Sequence, residues 1–354
     1  MLFQLLKNIV SKDTRKAASS LAFESGVQAY GKGEFAVAAE YFGSVSRADP
    51  EHAQAHYHAG LATAKLKRYD AALAFFERAK ALDPANADYH AQAGMMHWRL
   101  GNNDVAWKCC ETALASRPGM ALAHELMSLI SLPGPLYFEL LPRIHQLLRP
   151  RTYLEIGVEY GRSLAFALPE TRAIGIDPAP KIGFALGVRT AVRTMTSDDY
   201  FAAQDVRADF GGLPVDLAFL DGMHNFEFTL RDFINVEKHC TRESTVLIHD
   251  CYPLNRETAG REHDTPFWSG DIWRLVLALK KYRPDLRLHT IATAPTGLGV
   301  VRKLDPGSRV LVENYDAIVR EYLAVEYSVL DADKPGMLSL YPNEWEKIER
   351  ILRE

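Results

Sequence analysis

Hydrophobic and polar positions along the chain follow two successive patterns. Up to about residue 130, apolar and small residues recur at three- and four-residue steps, which places them on one face of a helix. The helical phrases themselves repeat: Pro50, Pro84 and Pro118 close SRADP, ALDPA and SRPGM at a spacing of 34 residues. Gly26, Gly60 and Gly94 recur with the same step in the first helix of each unit, and Ala38, Ala72 and Ala106 in the second. Phe42 and Phe76 recur as well, with Cys110 in the third copy. From residue 151 the pattern changes to short apolar runs alternating with helical stretches. YLEIG, AIGID, VDLAFLD and STVLIHD each end at a glycine or an acid, as buried parallel strands do when they deliver side chains to one rim of a sheet. LRLHTIAT and TGLGVVRK predict the last two strands as a hairpin. RTYLEIGVEYGRSLAF, residues 151–166, runs from the first strand through Gly157 and Gly161 into a predicted helix.

Between the two patterns lies LPGPLYFELLPRIHQLLRP, residues 132–150, punctuated by prolines around one amphipathic segment. The predicted organisation is an N-terminal helix over 1–18, repeats with a capping helix over 19–132 and a linker helix over 133–150. An α/β domain over 151–303 follows, then a helical extension over 304–354 that serves as a cap or a dimer contact.

Composition narrows the class. With 47% hydrophobic and 24% charged residues the chain is an ordinary globular protein, and a net charge of -4 gives no global reason to expect nucleic acid. Cys109, Cys110, Cys240 and Cys251 show no CxxC spacing, so neither zinc nor a disulfide framework is expected and a cytoplasmic location fits. MLFQLLKNIVSK reads as an amphipathic helix, and no apolar run approaches membrane-spanning length.

A helix–turn–helix repeat needs small side chains where its helices cross, a large apolar one between them, and a proline to end the second helix. Residues 19–118 meet these needs about three times over and resemble tetratricopeptide repeats, with MALAHELMSLISL as a capping helix. Val45 in place of alanine and a displaced aromatic in the first helix depart from the pattern. The resemblance implies a concave surface for a peptide or partner protein; the alternative is packing on the neighbouring domain and dimerisation. His52, His56, His58 and His90 are read as groove-lining or solvent-facing polar residues rather than metal ligands.

The turn after the first α/β strand lacks G-x-G-x-x-G, because Glu159 and Arg162 stand where two of those glycines would be. It satisfies E-x-G-x-x-x-G-x-S instead, through Glu155, Gly157, Gly161 and Ser163. That pattern resembles motif I of class I S-adenosylmethionine-dependent methyltransferases. The resemblance implies glycines that let the turn approach the methionyl and ribose part of the cofactor. It also implies that Asp177, at the end of AIGID, accepts the ribose hydroxyls. Ser197 or Asp198, in TMTSDDYF, would touch the adenine, or else cap the next helix.

VDLAFLDGMHNFEFTLRDF resembles the D-G-x-H segment of a methyltransferase family that includes metal-dependent sugar and natural-product O-methyltransferases, and LIHDCYP follows in order. The resemblance spans residues 151–303. It implies an all-α array followed by a Rossmann-like α/β sheet with an antiparallel last strand, and S-adenosylmethionine as cofactor. Asp221 and Asp250 are the expected ligands of Mg²⁺ or Mn²⁺. His249 replaces an acid of the metal-dependent relatives, so it is either a further ligand, better suited to Mn²⁺ or Fe²⁺, or a sign that no metal binds. His224 is the expected general base, or a loop histidine bonded to the rim. Arg256, Arg261 and His263 would bind an anionic or hydroxylated acceptor, and Trp268 and Trp273 would stack on it or pack the next helix. The expected reaction is O-methylation of a sugar, glycan precursor or other small metabolite by a chain that can form a homo-oligomer. The alternatives are a protein methyltransferase whose repeats recruit the target, and a non-catalytic scaffold.

Overall fold

The computed structural model describes residues 2–354, with side chains from Ala17 onward. The amphipathic face expected of the first helix therefore lies outside the described side chains. The chain divides into two compact units, residues 1–130 and 131–354.

Among the described residues the first unit is a run of helices: α1 (Leu2–Gly31), α2 (Phe35–Ala48), α3 (Ala53–Lys65), α4 (Tyr69–Leu82), α5 (Ala87–Arg99), α6 (Asn103–Ser116) and α7 (Ala121–Ser131). The repeat has a steric cause. A Cβ at Gly26 or Gly60 would come within 2.7 Å of the ring of Phe42 or Phe76, so each phenylalanine lies directly on a glycine of the preceding helix. The third pair has no ring at this crossing, and a Cβ at Gly94 would instead meet Cys109 at 3.1 Å and the Ala106 carbonyl at 3.2 Å. Ala38, Ala72 and Ala106 are buried where the helices cross. Two of the histidines fasten the turns: His56 Nε2 bonds the Pro50 carbonyl at 3.2 Å, and His90 Nε2 bonds the Pro84 carbonyl at 2.8 Å, one repeat later. His52 caps α3 by accepting the Ala55 amide, and the His58 ring stacks on Phe42.

The second unit is built on a sheet of β1 (Thr152–Ile156), β2 (Arg172–Ile176), β3 (Thr190–Arg193), β4 (Leu217–Leu220), β5 (Thr245–His249), β6 (Arg287–Ile291), β7 (Leu298–Arg302) and β8 (Leu340–Tyr341). Their order is β3-β2-β1-β4-β5-β7-β6-β8. The first five are parallel and in register, so Ile156 lies beside both Ile176 and Leu220 and their carboxyl ends share one rim. The predicted hairpin is β6 and β7, and β7 inserts antiparallel between β5 and β6.

One face of the sheet is covered by Tyr137, Leu140, Leu141 and Ile144 of α8 (Tyr137–Leu148), together with Ile348, Ile351 and Leu352 from the chain's last helix. The other face carries α9 (Ser197–Ala203), α10 (Val206–Asp209), α11 (Phe226–Glu237) and α12 (Trp273–Tyr282), each contributing buried residues. The amphipathic segment expected between the domains is thus a layer of the second unit. The helix expected after Gly161 is absent: between β1 and β2 the chain makes only a 3₁₀ turn at Leu164–Phe166. The crossover is short, Pro169 follows directly, and α8 already supplies the apolar cover that such a helix would give. The C-terminal extension folds as α13 (Val310–Glu313), α14 (Tyr315–Leu323), a 3₁₀ turn, α15 (Lys334–Met337), strand β8 and α16 (Trp345–Arg353). It therefore adds a strand, parallel to β6, to the helices expected there.

Candidate active site at the carboxyl rim of the sheet

Gly157 leaves β1 with φ +86, and a Cβ there would lie 2.0 Å from the Asp221 carbonyl oxygen. Only glycine lets the end of β1 pass the end of β4 so closely. Gly161, at φ +78, faces Ile182. Glu155 is buried beneath this turn and accepts hydrogen bonds from Ser163 Oγ at 2.7 Å and the Tyr153 hydroxyl at 2.5 Å. Burial pushes its carboxyl up to about 8. Glu155 and Ser163 thus pin the loop to its strand. Arg162 lies over the Phe138 ring of α8 at 3.9 Å.

The Asp177 carboxylate also holds this loop. Its Oδ2 accepts the amides of Val158 and Glu159, both at 2.9 Å, and its Oδ1 accepts that of Ala179 at 2.7 Å. A carboxylate offers about four acceptor positions, so Asp177 keeps room for one ribose hydroxyl rather than the expected pair. The residues still fit the cofactor, because Asp177 organises the very loop that Gly157 and Gly161 let turn, at positive φ, at the strand end.

Ser197 and Asp198 use their polar atoms within the protein. Asp198 receives a two-pronged bond from Arg231 of α11 at 2.7 and 2.6 Å. Ser197 bonds Asp232, whose carboxyl burial pushes up to about 7. The cap of α9 is Thr196, which accepts the Asp199 amide; neither predicted residue caps it.

The ends of β4 and β5 bring four ionisable residues together. His249 Nδ1 lies 3.0 Å from Asp221 Oδ1 and 3.4 Å from Asp250 Oδ2. His224 Nε2 lies 3.3 Å from Asp221 Oδ1, and its Nδ1 3.0 Å from Asp250 Oδ2. Thr296 donates to Asp250 Oδ1 at 2.5 Å. Burial opposes charge on every member, but the opposite charges prevail. The two carboxylates raise His249 to about 10 and His224 well above its ordinary value, while the two imidazoles hold Asp221 down to about 2 and Asp250 lower still. In this arrangement the two carboxylates favour the protonated form of His224, and the general base expected there works only when their charge is engaged elsewhere.

The same cluster fits a divalent cation. His224 Nδ1 and Asp250 Oδ2 are buried and face each other at 3.0 Å. Asp221, His224 and Asp250 each offer a ligand atom, all within 4.8 Å of one another. The third member of this trio is His224, not the expected His249. The His249 ring lies tilted against Tyr137, with ring centroids 4.2 Å apart, a rim residue that the sequence reading did not select because it precedes the whole α/β pattern.

Residues 256–273 behave less uniformly than expected. Trp268 stacks on His224 at 5.3 Å, and the exposed His263 stacks on Trp268 at 4.8 Å. Arg261 is committed to Glu227 and Asp271, and Arg256 lies over the Tyr327 ring at 5.7 Å. Trp273 is wholly buried in the core against the sheet, so it offers no ring face to an acceptor.

Comparison with known families concerns the domain that carries this rim. A model described as a methyltransferase domain matches residues 154–251, from β1 to just beyond Asp250. The chain carries a methyltransferase domain. The family implies S-adenosylmethionine as methyl source, and a tetratricopeptide repeat model matches residues 23–87. No curated protein matches the chain. Among solved structures the chain is similar to MamA, at 23% identity over 35% of this chain and 71% of that one, with a TM-score of 0.32. It is also similar to the second repeat domain of human RPAP3, solved with an HSP70 peptide (23% identity, 33% and 97% covered, TM-score 0.32). The Arabidopsis OM64 repeat domain is a further likeness (18% identity, 33% and 96% covered, TM-score 0.32). Among the described residues no helix is long and apolar enough to cross a membrane.

Proposed function

We propose that the methyltransferase domain moves the methyl group of S-adenosylmethionine to a hydroxyl of a sugar, glycan precursor or other small metabolite, in the manner of D-G-x-H O-methyltransferases, with a divalent cation at the rim. The observation that carries this reading is the convergence of Asp221, His224 and Asp250, whose ligand atoms lie within 4.8 Å of one another at the carboxyl ends of β4 and β5, on the rim that begins with the Gly157 loop. S-adenosylmethionine, when bound, supplies an electrophilic methyl group, and a cation held by Asp221, Asp250 and His224 supplies Lewis acidity toward the acceptor hydroxyl. The chain does the rest. Gly157 and Gly161 let the loop turn at the strand end where the cofactor would lie, and Asp177 would accept a ribose hydroxyl while keeping the loop in place. Asp221 and Asp250 aim the acceptor. As a ligand of the cation His224 would be neutral, with one ring nitrogen toward the cation and its proton on the other, so the hydroxyl proton would pass to solvent rather than to His224.

Methyl transfer to hydroxylated acceptors is expected to require Mn²⁺ or Mg²⁺ and to fall about 100-fold in Asp250→Asn. Full activity in EDTA would remove the cation from the reading.

The repeat match favours a second reading, in which the acceptor is a protein held by the first unit. Deleting residues 1–130 separates the two. Transfer to a small acceptor should survive the deletion, and transfer to a protein acceptor should collapse.

A further inference from the structure

His224 has φ +52, a left-handed conformation that a side-chain-bearing residue keeps only when its surroundings over-determine it. Those surroundings are supplied by the segment after β5. The His224 carbonyl accepts the Asp271 amide at 3.1 Å. Gly270 lies so close that a Cβ on it would come within 1.7 Å of the same carbonyl oxygen. Asp271 is wholly buried, and its Oδ1 accepts the Phe226 amide at 2.7 Å, so one residue grips the backbone on both sides of Asn225. Its Oδ2 receives Arg261 at 2.8 Å and Arg274 at 3.1 Å. Arg261 also forks onto Glu227 in the first turn of α11, and Arg274 continues to the carbonyls of Tyr322 and Val325. The His224 ring, in turn, is covered by Trp268, whose indole N–H is tied to the Gly260 carbonyl at 2.7 Å.

We propose that Gly270 and Asp271, braced by Arg261 and Arg274, form a clamp that positions the His224 imidazole between Asp221 and Asp250. The proposal rests on the reading of that cluster as the reacting site. It gives residues 256–274 a task distinct from acceptor binding: Arg261 acts through Asp271 on His224. Removing one partner of a buried aspartate–arginine network destabilises a fold wherever the network sits. Asp271 also closes two backbone bonds on either side of Asn225, and the first of them holds the carbonyl of His224, the left-handed residue whose imidazole faces the strand-end carboxylates.

The test uses the full chain labelled with ¹⁵N-histidine, the His224 signals being assigned by their loss in His224→Gln. Asp271→Asn keeps the Oδ1 acceptor but turns an amide N–H₂ toward two guanidinium groups. Gly270→Ala drives a methyl group into the His224 carbonyl. In both variants the His224 ring nitrogens are expected to shift or broaden while those of His90 and His145 stay in place, and affinity for Mn²⁺ alone is expected to fall about 10- to 100-fold. His224 resonances unmoved in both variants, with an unchanged circular dichroism spectrum, would overturn the clamp. Should either substitution cost helical signal, Arg261→Lys, which keeps the charge and loses the fork, decides the matter by the same readout. If the unsubstituted chain binds no Mn²⁺ while the variants still displace the His224 signals, the clamp stands and the cation reading falls.

Discussion

Single residues at the rim do two jobs, and the geometry separates them. Asp177 was legible as a strand-end acid, but its three amide bonds to the adjoining loops were not, because a backbone donor leaves no mark in the sequence. Asp177→Asn is therefore expected to loosen the Gly157 loop as well as the ribose contact, and to weaken S-adenosylhomocysteine binding by about tenfold or more in calorimetry. An unchanged affinity would count against both contacts. His145 makes a cleaner pH prediction. It is buried in α8 edge-on to Tyr153, neither ring nitrogen has a partner, and burial lowers its pKa to about 4. The unfolded chain takes up this proton below about 6.5 and the folded chain does not, so stability is lost as pH falls from 6.5 toward 4, by about 3 kcal/mol in all. Between pH 7 and pH 5 the change in urea-unfolding stability should be less unfavourable in His145→Phe than in the unsubstituted chain; equal pH dependence in both proteins would contradict the assignment.

Among elements, those fixed by a repeated steric contact or by strand burial were the legible ones. The 34-residue period reflects a glycine under each phenylalanine ring. Gly60→Ala should therefore cost about 1–3 kcal/mol by overpacking, and Phe76→Leu should recover part of the loss in thermal melts; a neutral Gly60→Ala would show that the helices separate freely. Strands β1, β2, β4 and β5 were legible because each is a short apolar run with an abrupt end, and β6 and β7 were legible as a hairpin. Two features were not. The apolar residues after Gly161 fit a helix by pattern, yet the face they would cover already belongs to α8. Strand β8 has only two residues and exists through pairing with β6, a tertiary fact with no local signal. Thr196 displaced Ser197 and Asp198 as the cap of α9 for a similar reason: all three residue types can cap a helix, and the bonds from Ser197 and Asp198 to α11 decided between them.

At the scale of the whole molecule, the chain joins a repeat array, of a kind used to hold proteins, to a domain that implies a methyl donor. The sequence order of motif, strand-end acid, D-G-x-H phrase and second acid made the domain legible. The charge state of its histidines was not, because it depends on distances across strands that sequence spacing does not measure. The central claim is that the rim around Gly157 and Asp177 binds the methyl donor. The direct test is calorimetric titration of S-adenosylhomocysteine into the full chain. The account predicts saturable binding at one site per chain, and the absence of binding at millimolar ligand would contradict it.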